Sequence, residues 1–390
     1  MGHVKPMLAL LQALVGDGER LVCYGHRDFE DVIGATGAEF RSYPAVDYDI
    51  HAPDFNLVRM AADLVDASET IVPALMPEIE RLAPRLIVQD FMALWGSRIA
   101  TALAIPRIHT VPTIVFNATA QRKMRREDGV AKLARDVARG LPALVRAKLR
   151  SRFAVSVEEA FAVDGRWRSL APPLAEIVFS LERLQVGQKH GTVPRHYIGA
   201  SFPRPPTVAS ASTGHALVTF GTLSNTDTAR FEAAIEGAFD AGYSVIGQCG
   251  DKVDTARLER LAGSLEGRSP ERTVLIVQTV PDLEALIAGA AVVIHHAGMA
   301  TTWETLRHGK PALFIPTIAD QKVLATQLEA NGAGLRLPAG RECDARAIAT
   351  ALERLRTAKL DLAGMKASMD AAGGAPVGHT VIRDVLARLP

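Results

Sequence analysis

The sequence predicts an α/β protein made of two doubly wound parallel sheets, on three observations. Short β-branched runs alternate with segments of helical period through both halves of the chain. At 390 residues the chain exceeds one ordinary hydrophobic core. A Pro- and Ser-rich stretch, 203–213, lies between the two alternating series and has the composition of a linker. The expected organisation is a first domain over 1–202, the linker 203–213, a second domain over 214–375, and a closing amphipathic helix, 376–390, that packs back toward the first.

In the first half, Pro6 opens a helix carried by Met7, Leu10, Leu11, Leu14 and Val15, and Gly16 and Gly18 end it. A strand at 21–24, a short helix at 29–35 and a strand at 39–43 follow. Next come a long helix at 57–82, a strand at 86–89, a helix at 96–104 and a strand at 107–110. The strand that would feed the first helix, central in a doubly wound sheet, has no counterpart before Gly2. A truncated or misplaced start is the expectation. From Gln121 to Arg152 a helical, cation-rich segment reads as a solvated face, with attraction to an anionic surface or an acidic acceptor as the rival reading. In the second half, strands fall at 216–220, 243–246, 274–277, 291–294 and 312–315. Helices lie at 227–241, 283–288, 302–308 and 322–330.

Composition narrows the function classes. Apolar residues make up 48% and charged residues 22%, with a formal net charge of +1, so no bulk electrostatic case exists for nucleic acid or a membrane surface. The three cysteines, Cys23, Cys249 and Cys343, are far apart and indicate neither a disulfide framework nor a zinc site. No apolar run has the length of a membrane span, and a cytoplasmic protein is the default expectation. Neither GxGxxG after a strand nor the GxxxxGK phosphate loop occurs, which argues against a dinucleotide oxidoreductase and a P-loop enzyme.

The chemistry centres on Ile294-His295-His296-Ala297-Gly298-Met299-Ala300-Thr301-Thr302-Trp303-Glu304. A strand passes through small residues into a helix start, which gathers free N–H donors and suits phosphate. Thr301-x-x-Glu304 is equally a capping box that satisfies those donors internally, and spacing alone leaves both readings open. Gly221-Thr222 after the strand ending at Phe220 is a second loop where backbone can approach a ligand. Asp320-Gln321, after a later strand, suits sugar hydroxyls at the rim where such sheets bind ligands. His3 and Asp90 would share a rim in the first sheet, and a histidine held by a carboxylate is a general base toward a hydroxyl. Asp47-Tyr48-Asp49 has a metal-motif spacing but no accompanying ligand cluster, and reads as loop.

These blocks resemble the family 1 glycosyltransferases, in particular the bacterial macrolide glycosyltransferase group. The resemblance rests on GHVKPMLALLQAL, IGATGAEFRSYP, QDFMALWG, VTFGT, HHAGMATTWETLRHGKPALFIPTIADQ and ANGAGLRL, in family order across almost the whole chain. It implies a GT-B fold, with two facing Rossmann-like domains and the cleft between them. It also implies an inverting, metal-independent transfer from a nucleoside diphosphate sugar (UDP- or dTDP-) to a hydroxyl of a small apolar natural product. No cofactor beyond that co-substrate is implied. By resemblance His3 is the base and Asp90 orients it. His296 and the turn Gly298, Met299, Ala300 and Thr301 hold the diphosphate, beside Gly221 and Thr222. Glu304 holds the ribose, and Asp320 and Gln321 the sugar. Two departures stand out. The family's Trp-Val-Pro-Gln is Thr279-Val280-Pro281-Asp282, which removes the indole beside the base, and His-Gly-Gly is His296-Ala297-Gly298. The added methyl is tolerable where position 297 needs no positive φ. Two rival readings remain: a non-catalytic partner of an active transferase, and a nucleotide-sugar epimerase of the same architecture. The acceptor-side His3 and Asp90 weigh against the epimerase.

Overall fold

The computed structural model describes residues 2–44, 46, 56–151, 170–202, 214–221, 227–338 and 343–390. The linker 203–213, Thr222, Arg152 and Asp47-Tyr48-Asp49 lie outside the described residues. The chain separates into two units, one of Met1–Arg204 with Asp370–Pro390 and one of Pro205–Met369.

In the first unit, helix α1 (Lys5–Gly16) begins with Pro6 in its first turn, where a missing N–H costs nothing. Strands β1 (Val22–Gly25) and β2 (Glu39–Ser42) flank a short α2 (Glu30–Gly34) and pair in parallel as a separate two-stranded sheet. Helix α3 (Leu57–Leu82) starts where Asn56 Oδ1 accepts from the N–H groups of Val58 and Arg59, both at 3.0 Å. Then follow β3 (Ile87–Asp90), α4 (Leu94–Ala102), β4 (Arg107–Val111) and α5 (Ala118–Arg150). Strands β5 (Ala175–Val178) and β6 (Arg195–Tyr197), absent from the sequence reading, complete a parallel sheet of order β3-β4-β5-β6. Among the described residues no strand joins this sheet to β1 and β2.

Strand β4 is buried along its whole length although its sequence is Arg-Ile-His-Thr-Val. The polar groups are satisfied sideways: Arg107 bonds Ser97 Oγ, His109 Nε2 at 2.8 Å and the Ala171 carbonyl at 3.1 Å. Arg195 and Glu176 form a buried ion pair at 2.6 Å between neighbouring strands. Polar side chains there interrupt the apolar pattern on which strand recognition depends, which is why β5 and β6 escaped it.

In the second unit, six parallel strands run in the order β12-β11-β10-β7-β8-β9. They are β7 (Ala216–Thr219), β8 (Val245–Gln248), β9 (Val274–Val277), β10 (Val292–His295), β11 (Ala312–Phe314) and β12 (Gly334–Arg336). The connecting helices are α6 (Thr228–Asp240), α7 (Thr255–Arg268), α8 (Leu283–Gly289), α9 (Met299–Arg307), α10 (Ala319–Ala330) and α11 (Ala345–Thr357). Strands β7 and β10 are buried at every position, as expected of a parallel sheet covered on both faces. The chain proceeds from β7 outward to β9, then returns to place β10 on the other side of β7. The sheet therefore reverses direction between β7 and β10, and ligands of doubly wound sheets bind at such reversals.

After α12 (Leu362–Ala372), the final helix α13 (Gly374–Arg388) packs in the first unit, where Val381 and Ile382 join Leu10, Leu14, Ile108 and Ile177 in one core cluster.

Candidate functional site

Helix α9 begins three residues earlier than its spacing predicts. Gly298 is its N-cap, with φ −67° and ψ 137°, and no side chain caps the helix. Thr301 is consequently the third residue of the helix, so the capping-box reading fails: Thr301 has no terminal donor to satisfy from there. The earlier start follows from Gly298 and Ala300, small residues that impose no steric stop. The first intrahelical bond from this end is Thr302 N–H to Gly298 O at 2.9 Å. The N–H groups of Met299, Ala300 and Thr301 thus form an open donor set at the positive end of the helix dipole. Farther along, Arg307 and His308 both reach Glu284 Oε1 at 2.9 Å, which fixes the far end of α9 against α8.

His296 sits at this helix start, its ring held between two glycines. A Cβ on Gly221 would stand 2.6 Å from His296 Cε1. One on Gly298 would stand 3.0 Å from the same atom and closer still to Nε2. Gly221 also needs its φ of +64°, which an L side chain resists. His296 is 7% exposed and its Nδ1 is buried without a hydrogen-bond partner among the described residues. Burial, and secondarily the positive charge of Arg230, push its pKa down to about 4, so the ring is neutral at pH 7. His295, at the end of β10, is fully buried edge-on to Phe314 and pushed down to about 3, by burial and then by His296.

Ala297 adopts φ +61°. The condition under which the added methyl is tolerable, no positive φ at 297, is therefore not met: the turn from β10 into α9 is left-handed there, a conformation that favours glycine.

Arg230 went unnoticed in the sequence. It lies in the first turn of α6, paired with Asp227 at 2.9 Å, its guanidinium 5.9 Å from the centre of the Phe220 ring. Its field reaches His296 from a helix 66 positions away in sequence (296 − 230). The signal that could have found it is its place just beyond the Gly221 loop, at the start of the helix that follows β7.

The remaining second-unit candidates fall on the same rim of strand ends. Glu304 is one turn into α9 and 3% exposed. Asp320 and Gln321 stand in the first turn of α10, which follows β11, the neighbour of β10. Gln321 Oε1 accepts from Thr317 N–H at 3.1 Å and Thr317 Oγ1 at 2.9 Å, so that oxygen already closes its own loop. Val280 follows β9 at the sheet edge, half-buried, and Asp282 caps α8 through Ala285 N–H at 3.1 Å.

In the first unit, His3 lies in the turn before α1, and Asp90 ends β3. His3 Nδ1 is 2.9 Å from Asp90 Oδ2, while Asp90 Oδ1 accepts from Met92 N–H at 2.9 Å. The His3 ring stacks on Phe91 at 6.0 Å, and Phe91 on Phe116 at 5.9 Å. A carboxylate accepting from Nδ1–H leaves the lone pair on Nε2. The side chain is 47% exposed.

Among the described residues no group of three or more metal-binding side chains occurs, and no helix is long and apolar enough to cross a membrane.

Comparison with known proteins bears on the fold and the family. The family described as erythromycin biosynthesis protein CIII-like, C-terminal domain, matches residues 257–386. The NDP-glycosyltransferase YjiC of Bacillus subtilis (strain 168) is 26% identical over 349 residues, 86% of this chain and 82% of its own. A zeaxanthin glucosyltransferase of Pseudescherichia vulneris is 25% identical, over 85% of this chain and 81% of its own. Among solved structures, the glycotransferase of kitacinnamycin superposes with a TM-score of 0.76 at 20% identity, covering 100% of this chain and 96% of that one.

Proposed function

We propose that the chain is a family 1 glycosyltransferase of GT-B fold, carrying out an inverting transfer from a nucleoside diphosphate sugar to a hydroxyl of a small apolar natural product. The observation that carries the proposal is the His3–Asp90 pair at 2.9 Å. His3 Nε2 takes the acceptor hydroxyl proton, and Asp90 stabilises the imidazolium that forms. The oxygen attacks the anomeric carbon as its bond to the diphosphate breaks. A single displacement of this kind inverts that carbon.

Negative charge then develops on the departing diphosphate. The open N–H groups of Met299, Ala300 and Thr301 supply fixed dipoles for it, and His296 adds a donor when its proton is on Nε2, the nitrogen beside Gly298. Arg230 adds a positive field. These charges support a reaction in which no cation is required. Glu304 is assigned the ribose and Asp320 the sugar hydroxyls, with Gln321 holding the Asp320 loop in shape. Thr222 is assigned to the phosphates with Gly221. Val280 is assigned to the base of a uridine or thymidine donor. The aromatic stack of His3, Phe91 and Phe116 favours an acceptor with an apolar body, of macrolide, polyketide or flavonoid-like type. Nucleotide sugars are intracellular metabolites, which supports a cytoplasmic site of action.

The test is His3→Ala, assayed for transfer and, by calorimetry, for nucleoside diphosphate binding. Turnover should fall by roughly 10²–10⁴-fold, with nucleotide affinity unchanged. Near-normal turnover would overturn the assignment of the base.

A further inference from the structure

Helix α5 carries a surface to which the proposed transfer assigns no role. Gly129, at φ 74° and ψ 156°, breaks the helix, and the segment after it holds Lys132, Arg135, Arg139, Arg146, Lys148 and Arg150. Its one carboxylate, Asp136, is tied to Lys132 at 2.8 Å. One side of this segment is fully used: Ala143, Leu144 and Ala147 pack with Ala62, Leu64 and Val65 of α3. The other side exposes Val137 (39%), Leu141 (46%), Val145 (47%) and Leu149 (84%). These four are spaced four apart and make one stripe along the helix. Arg135, Arg139, Arg146, Lys148 and Arg150 are all exposed around it and form no ion pair within 4 Å among the described residues. Arg150 and Arg146 also act on Asp66 of α3, where their charge opposes the upward push of burial on its carboxyl.

We propose that this face of α5 docks on the surface of an anionic lipid bilayer. An apolar stripe bordered by cations matches the boundary between acyl chains and anionic headgroups, where leucines enter and guanidinium and ammonium groups meet phosphate. The charge decides against a second copy of the chain, since two such faces would bring cations against cations. It also fits a nucleic acid poorly, because a phosphodiester backbone has no use for a central row of leucine and valine. The transferase would thereby sit where apolar acceptors partition.

The test is flotation of the full chain with phosphatidylcholine vesicles, with and without phosphatidylglycerol, at low and high salt. Two double variants accompany it: Leu141→Gln with Leu149→Gln, and Arg139→Gln with Lys148→Gln. The wild type should float only with anionic vesicles and lose binding at high salt. Each double variant should lose about tenfold or more in partitioning, with turnover on a water-soluble acceptor unchanged because neither pair touches His3 or the helix α9 turn. Failure of the wild type to float with anionic vesicles at low salt would overturn the proposal. So would variants that float as well as the wild type. A concentration-dependent dimer that Leu149→Gln abolishes would assign the face to a second copy instead, as would capture of an acidic protein assign it to that partner.

Discussion

Gly298→Ala isolates the shape of the proposed leaving-group site from its chemistry. At φ −67° the backbone accepts alanine without strain, and the N–H is retained. The perturbation is the methyl itself, 3.0 Å from His296 Cε1, 3.2 Å from Cδ2 and closer still to Nε2. The ring would have to withdraw by about 1 Å to restore ordinary contact. It cannot do so toward Gly221, which already approaches so closely that its own Cβ would stand 2.6 Å from Cε1. A displacement of this size at a transition-state contact is expected to lower kcat/KM by roughly 10–100-fold, about 1.4–2.8 kcal/mol. Overpacking should cost stability by about 1–3 kcal/mol. The assay is steady-state transfer with the wild type, Gly298→Ala, His296→Ala and the double variant. With the imidazole gone the methyl has nothing to strike, so Gly298→Ala should be nearly silent in the His296→Ala background. Equal losses in both backgrounds would refute the packing argument.

Three further outcomes follow from the same region. Ala297→Gly should stabilise the second unit, because it removes a left-handed alanine costing about 1–2 kcal/mol while adding unfolded-chain entropy of about 0.4–1 kcal/mol; a lower denaturant midpoint for the variant would contradict the positive φ. Arg230→Gln should weaken nucleoside diphosphate binding by about tenfold at low salt and by less at high salt; calorimetry showing equal affinity would remove Arg230 from the site. Burial holds His295 at about 3, His296 at about 4 and His109 at about 3, below the ordinary 6.5. The unfolded chain therefore takes up protons first: this stabilisation is complete above about pH 6.5 and is lost as pH falls toward the folded values, by about 1.4 kcal/mol per histidine at pH 5.5. His295→Leu should flatten that acid slope in a denaturation series, and an unchanged slope would show that His295 protonates without cost.

The strand-turn-helix at 292–307 was legible because its two periods meet at small residues, and the whole pattern is local. The start of α9 and the left-handed Ala297 were not legible, because both depend on how Gly298 accommodates the His296 ring. Helix α7 was passed over although Asp254, Leu258, Leu261 and Leu265 carry its cap and its period. Strands β5 and β6 were hidden by Glu176 and Arg195, whose burial makes sense once each has the other as partner. His3 and Asp90 were legible as types and positions, while the 2.9 Å contact between them depends on how the turn before α1 folds over the end of β3. The field of Arg230 on His296 comes from a helix distant in sequence, and no motif carries it.

Helix α13 belongs to the first unit although it is the last segment of the chain, so residues 205–369 form an insertion within that unit. This has a practical consequence for recombining relatives with different donor preferences. A chimera joined at a single crossover near residue 204 would bring a foreign helix against Leu10, Leu14, Ile108 and Ile177. Exchange as a cassette with two junctions, near 204 and near 370, keeps α1 with the helix it was selected to meet. On the proposed assignment of the donor to the second unit, donor specificity would move as an interior module, and the last twenty-one residues (390 − 370 + 1) would travel with the first unit.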